Sequence, residues 1–260
     1  MKRALLFTAV LSVTFAAVLV ATGPASATHS WGGYHWARTS NPFTLKLGNN
    51  TSGSWTTDLA TVSSDWSQST VLDTNVVAGR TKPKSCRPAS GRVEVCSANY
   101  GNTGWLGVAQ IWISGGVHIT QGTVKNNDYY FGSSTYRYNN GAEKLHVLCQ
   151  EVGHILGLDH QSTDGSSLNT CMDYYHNTSA SDTLSTHPNQ HDYDELGIIY
   201  GHVDSSTTVS ASPAATAAAV LDAPNEWGKL VSASKDGRSA TYERDFGGGN
   251  KVVTFVIWTR

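Results

Sequence analysis

The segment Gln150-Glu151-Val152-Gly153-His154-Ile155-Leu156-Gly157-Leu158-Asp159-His160 concentrates the chemistry of this chain. On a helix, residues four apart share a face, so Gln150 and His154 point the same way one turn apart, with Glu151 beside them. Gly157 can take the left-handed conformation that ends a helix, and the turn it makes lets His160 come back to the same point. Three groups then converge on a place that can hold a metal ion while leaving a further position open to water. A carboxylate beside such an ion is placed to act as a general base on the bound water, the role expected of Glu151.

A helix must carry these residues, and other elements must hold it still. Residues 143–156 are expected as that helix, with 145–156 its active portion. Before it, residues 42–47 alternate apolar and polar and lead into Gly48-Asn49-Asn50, a strand and turn. Trp55, Leu59, Val62 and Trp66 recur at helical spacing. Strands are expected at 71–77 and 92–96. Residues 105–113 are apolar over a longer run than a surface strand tolerates, which predicts a central strand. The alternation of 117–124 predicts a half-exposed neighbour, with an open edge along 117–126 that could pair with an extended peptide. Trp66, Trp105 and Trp112 are read as core. A last helix begins near Pro188 and runs through Tyr193, Leu196, Ile199 and Tyr200 to Gly201. This order of elements is an α+β pattern.

At 260 residues the chain suits one main domain and a small accessory segment. Met1, Lys2 and Arg3 precede an apolar run from Ala4 to Ala21, and Ala25-Ser26-Ala27 has the small-residue pattern of a leader cleavage site. Residues 1–27 are therefore expected as a signal peptide, giving a secreted chain with no remaining membrane segment. Loss of Lys2 and Arg3 takes the formal net charge from −2 to −4, without the basic footprint of a nucleic-acid binder. Four cysteines in an exported chain read as two disulfides, and of the three pairings the sequential one, Cys86–Cys96 with Cys149–Cys171, joins nearest neighbours. The domain is expected over 28–203, a Ser/Thr/Ala-rich linker over 204–222, and a small C-terminal β segment over 223–260, with strands at 228–232, 239–243 and 251–258.

The motif resembles that of the metzincin zinc proteases, H-E-x-x-H-x-x-G-x-x-H followed by a methionine turn. Glu151, His154, Gly157 and His160 match it, while Gln150 stands in place of the first ligand histidine. Thr170-Cys171-Met172-Asp173-Tyr174 looks like the methionine turn, and the last helix is similar to that of the matrixin branch. The resemblance spans roughly residues 43–201. It implies a metzincin-like domain with a mixed twisted sheet, an active-site helix, a Met-turn and a C-terminal helix. It also implies Zn2+ on His154, His160 and Gln150, Met172 beneath the metal, and Tyr174 as a transition-state-stabilising group. A carboxamide oxygen is a poorer zinc donor than imidazole, so the departure at Gln150 implies weaker binding. His146 cannot replace it, because eight residues of helix separate it from His154 by about 12 Å. His118, His176 and His187 reach the site only by rearrangement.

The expected function is that of a secreted, monomeric zinc metalloendopeptidase acting on protein or peptide substrates. Two alternatives stay open: a protease-fold protein that binds peptides or a partner without cleaving them, and a module attaching to carbohydrate through its C-terminal segment.

Overall fold

The computed structural model describes residues 29–212 and 219–259. The expected signal peptide lies outside the described residues, as do positions 213–218 of the expected linker. The fold is α+β, with one nine-stranded mixed sheet and four helices. In chain order the elements are β1 (His35–Trp36), β2 (Phe43–Asn50), α1 (Ser54–Trp66), β3 (Leu72–Ala78), β4 (Val93–Ala98), β5 (Trp105–Ser114), β6 (His118–Asn127) and the short α2 (Asp128–Phe131). Then come α3 (Gly141–Ile155), α4 (Gln190–Ile199), β7 (Lys229–Ala233), β8 (Ser239–Gly247) and β9 (Asn250–Trp258). The sheet runs β3-β2-β4-β6-β5-β9-β8-β7, with β1 pairing to the start of β6.

Burial on both faces explains the unbroken apolar run of β5. Leu106, Ala109, Ile111 and Ile113 join the main core with α1 and α3. Trp105, Val108 and Trp112 instead meet Leu221, Trp227, Val252 and Val256 in a second cluster. Trp66 is buried in the main core, so all three tryptophans pack in the interior.

One expectation changes. Strand β6 is neither half-exposed nor open-edged: it is mostly buried, with β5 antiparallel on one side and β1 and β4 parallel on the other. Its alternation reflects Thr and Gln side chains that are buried between neighbours, so 117–126 has no free edge for a peptide. The C-terminal strands, for their part, extend the main sheet. Strand β9 pairs antiparallel with β5 from Trp105↔Trp258 to Ile113↔Lys251, and β8 and β7 follow outward. Residues before 213 in the expected linker are also engaged, since the Asp204, Thr208 and Ser210 amides donate to the carbonyls of Arg38, Ala37 and Gly91 at 2.8, 2.9 and 2.8 Å.

Helix α3 is seated from both ends. The Asn140 side chain accepts from the Glu143 amide at 2.9 Å and caps its start. At its other end the Trp36 indole donates to Ile155 O and the Tyr200 hydroxyl to Leu156 O, both at 2.9 Å, satisfying carbonyls that a helix terminus leaves open. The disulfides Cys86–Cys96 and Cys149–Cys171 are both formed, and the second clips α3 to the turn at 170–174. Gly157 follows the helix with φ +99°, and a Cβ there would collide with the Tyr34 carbonyl oxygen. Gly157→Ala should therefore lower stability by about 1–3 kcal/mol, through backbone strain and overpacking together. A urea midpoint equal to wild type would show instead that the backbone at Tyr34 yields at no cost.

Candidate metal-binding site on helix α3

Helix α3 lies close on the sheet because small residues face it. A Cβ on Gly107 of β5 would crowd Val147 and Glu151, and one on Gly153 would crowd Met172 and Trp66. These gaps put Glu151 against β5 and seat Met172, fully buried, against the helix. The turn itself is held by the Met172 amide donating to Thr170 Oγ1 at 3.0 Å and by the Gln161 amide donating to Met172 O at 2.7 Å. That second bond also brings the chain just after His160 alongside the turn.

The structure brings His154 and His160 together, with their Nε2 atoms 3.1 Å apart. His154 Nδ1 lies 2.9 Å from the Leu158 carbonyl oxygen and His160 Nδ1 lies 3.0 Å from Asp159 Oδ1. Both partners accept only, so each Nδ1 carries the proton and, in the neutral rings, each Nε2 presents a lone pair. Two lone pairs facing each other at this distance repel unless a cation lies between them. Burial, and then His160, drives the His154 pKa down to about 3, which disfavours a proton as that cation. For comparison, ligands about 2.0–2.1 Å from a tetrahedral zinc lie about 3.3 Å from each other. The donor pair thus fits a zinc-class ion.

Gln150 turns its amide nitrogen to the segment at 170–174. Its Nε2 donates to the carbonyls of Cys171 and Asp173 at 2.7 and 2.6 Å, joining the helix to the turn at 170–174. Both acceptors are carbonyls, which fixes the amide nitrogen on that side. His146 lies beside Gln150 at 3.5 Å and is tied to Asn177 Oδ1 at 3.0 Å, away from the histidine pair. His176 pairs with Glu143 and the exposed His187 with Asp65, so neither reaches the site.

Glu151 is fully buried, and neither of its carboxylate oxygens has a hydrogen-bond partner. Desolvation holds its pKa well above the ordinary value, and the Ala109 backbone amide offsets this only in part, close enough to attract but outside hydrogen-bond geometry. Tyr174 packs its ring 4.1 Å from that of His160, and burial raises its hydroxyl to about 12.

The C-terminal strands cover the site. Phe255 of β9 stacks on the His154 ring at 4.2 Å with planes 6° apart, and Ser239 Oγ of β8 lies 3.4 Å from His160 Nε2 while donating to Val256 O. Gln150, Glu151, His154 and His160 are all buried as a result.

A second group of metal-type ligands, His35, His202 and Asp204, lies together elsewhere in the fold. Sequence reasoning passed over it. The His202-x-Asp204 spacing was the only local signal, and Asp204 was read as the first linker residue. His35 and His118, which complete the neighbourhood, are distant in sequence. Comparison of the chain with protein families, with curated proteins and with solved structures found no match.

The buried carboxyl sets a pH signature in metal-free buffer. A folded-state pKa raised above the unfolded value of 4.5 contributes stability that is fully present below 4.5 and lost as pH rises. The lowered His154 acts in the opposite sense, losing stability as pH falls from 6.5 toward about 3. Glu151→Gln removes only the first effect. Measured by denaturant unfolding in chelator, the variant should gain progressively on wild type as the pH rises from 4 to 8. A stability difference that stays constant over that range would mean the carboxyl is solvated after all.

Proposed function

We propose that this chain is a secreted zinc metalloendopeptidase of the metzincin type whose described state is latent. The observation that carries the reading is the pair of buried imidazole lone pairs, 3.1 Å apart, with a buried, unpartnered carboxyl three residues before His154 on the same helix. Structure without catalysis has no evident use for an unpaired Glu151, which costs stability where it stands. The two disulfides accord with an oxidising compartment. Among the described residues no helix is long and apolar enough to cross a membrane.

His154 and His160 would hold the zinc ion, with Asp159 and the Leu158 carbonyl fixing their tautomers. Gln150 acts first as a positioning residue, binding α3 to the Met-turn. A zinc ion there would supply a water acidified to a pKa of about 7 and would polarise a substrate carbonyl. Positive charge on the histidines would bring the Glu151 pKa down, so that its carboxylate takes a proton from water and hands it to the departing amine. Tyr174, ring to ring with His160, carries a hydroxyl that would serve the developing oxyanion.

Latency rests on β8 and β9. An extended peptide binds by adding a strand to an exposed sheet edge, and the edge of β5 above α3 is taken by β9 along its whole length. A substrate would have to displace β9 and Phe255 to reach the histidines. The same cover, together with the committed Gln150 amide, favours the second reading, a protease-fold protein that binds without cleaving.

Zinc analysis of the dialysed mature protein, paired with a protein-hydrolysis assay, separates the two. Zinc retained in a way that depends on His154, with hydrolysis falling at least about 10²–10⁴-fold in Glu151→Gln, supports the enzyme. Equal hydrolysis by wild type and Glu151→Gln would remove the mechanism, and zinc gained only by Gln150→His would favour the binding protein.

A further inference from the structure

Strand β1, the start of β6 and the chain just beyond α4 bring together three histidines and one aspartate that the peptidase reading does not use. His35, His202 and Asp204 have ligand atoms within 4.8 Å of one another. The edges of this triangle are 3.3 Å for His35 Nε2 to His202 Nε2, 3.5 Å for His35 Nε2 to Asp204 Oδ1, and 3.7 Å for His202 Nε2 to Asp204 Oδ1. A tetrahedral zinc with ligands about 2.0–2.1 Å away has ligand–ligand edges of about 3.3 Å, so the triangle is close to one face of such a site. His118 Nε2 lies 3.2 Å from the same Asp204 oxygen, and its side chain is one-third exposed, which leaves the ring room to turn.

We propose that His35, His202 and Asp204 bind a second divalent transition-metal ion of the zinc class, with His118 as the fourth ligand. Hydrogen bonding supports this independently of the distances. His35 Nδ1 lies 2.8 Å from the Gly33 carbonyl, an acceptor only, so this nitrogen carries the proton and the neutral ring turns its Nε2 lone pair toward Asp204 Oδ1. A lone pair facing a carboxylate oxygen needs a cation between them.

Asp204 is aimed into the cluster from behind. Its Oδ2 accepts from the Arg38 amide at 3.1 Å and from Arg38 Nη1 at 3.0 Å, leaving Oδ1 toward the histidines. Arg38 is itself buried and fixed by donating to the carbonyls of Tyr200 and His202. Such outer contacts orient metal ligands. Imidazoles with one carboxylate suit zinc, nickel, copper or cobalt, whereas calcium and magnesium take all-oxygen sites. Because Asp204 is shared with a guanidinium, its donor strength is reduced, and binding should be weaker than at a closed thiolate site.

The test uses the whole mature chain, stripped with chelator and returned to zinc, in wild type, His202→Ala, Asp204→Asn and His154→Gln. His202 has a half-exposed side chain, so its truncation leaves the core packing intact. Unfolding of His202→Ala in chelator at the wild-type temperature will confirm this, and the conclusion rests on that variant, because Asp204→Asn also loosens the anchorage of Arg38. The expected result is a zinc ion present in wild type and in His154→Gln but lost from His202→Ala and Asp204→Asn. Its affinity should fall by more than the roughly 10–100-fold typical of an outer-contact loss, and zinc should raise the unfolding temperature of these two variants by less than it raises that of wild type. Zinc content and zinc-dependent unfolding temperature that are the same in wild type and His202→Ala would overturn the site, leaving a proton on His35 as the bridging cation. The outcome at His154 tests the peptidase site separately, since the two sites share no ligand.

Discussion

Close seating of α3 on β5 and β6 is the constraint from which the rest of the structure follows. Gly107 and Gly122 present no side chain to the helix, and Gly153 opens a gap that Met172 and Trp66 fill from the other side. The helix is thereby held between the sheet and the turn at 170–174, and Cys149–Cys171 closes the assembly covalently. Packed interiors tolerate little change in volume, so side chains on such a helix keep their positions to within a fraction of an ångström. That rigidity allows His154 and His160 to meet through their Nε2 atoms although their residues lie on opposite sides of the Gly157 turn.

Holding polar groups this deep has an electrostatic cost that the fold does not remove. Glu151 stays unpartnered, and the lowered His154 pKa reflects burial beside a second imidazole. Around them the apolar structure is complete: β9 covers the edge of β5, and Phe255 stacks on His154. Unsatisfied polar groups beneath a finished apolar cover cost stability where they stand. Destabilised groups of this kind are relieved by a bound cation, which ties the energetics of the fold to the proposed function.

Asp204 does comparable work at the far side of β6. It joins Arg38, His35, His118 and the backbone beyond α4 through its two carboxylate oxygens and its amide. One short side chain thus fastens the first strand of the described chain to the segment that leaves the last helix. Desolvation alone would raise its carboxyl, but the Arg38 amide and His35 outweigh it and keep the group below its ordinary value, in its anionic form. The segment from 204 is held here despite having almost no apolar side chains, because its anchorage is polar.

Local features were legible in the sequence because they depend on contacts a few residues apart. The spacing of Trp55, Leu59, Val62 and Trp66 marks α1, Gly157 marks the turn that follows α3, and the long apolar run marks β5 as a strand with neighbours on both sides. The pairing of cysteines was readable for the same reason, each bridge joining nearest neighbours. By contrast, β9 beside β5 and both filled edges of β6 are pairings between distant segments, and the period-two pattern of a strand does not say which strand lies next to it. Nor could sequence place His35 and His118 beside Asp204, or turn the Gln150 amide to the carbonyls of Cys171 and Asp173. By itself the sequence determined which residues could do chemistry and on which local elements they sit. Only the tertiary structure decided which of them meet, which edges are taken and which groups are buried, because those depend on long-range packing that no local period encodes.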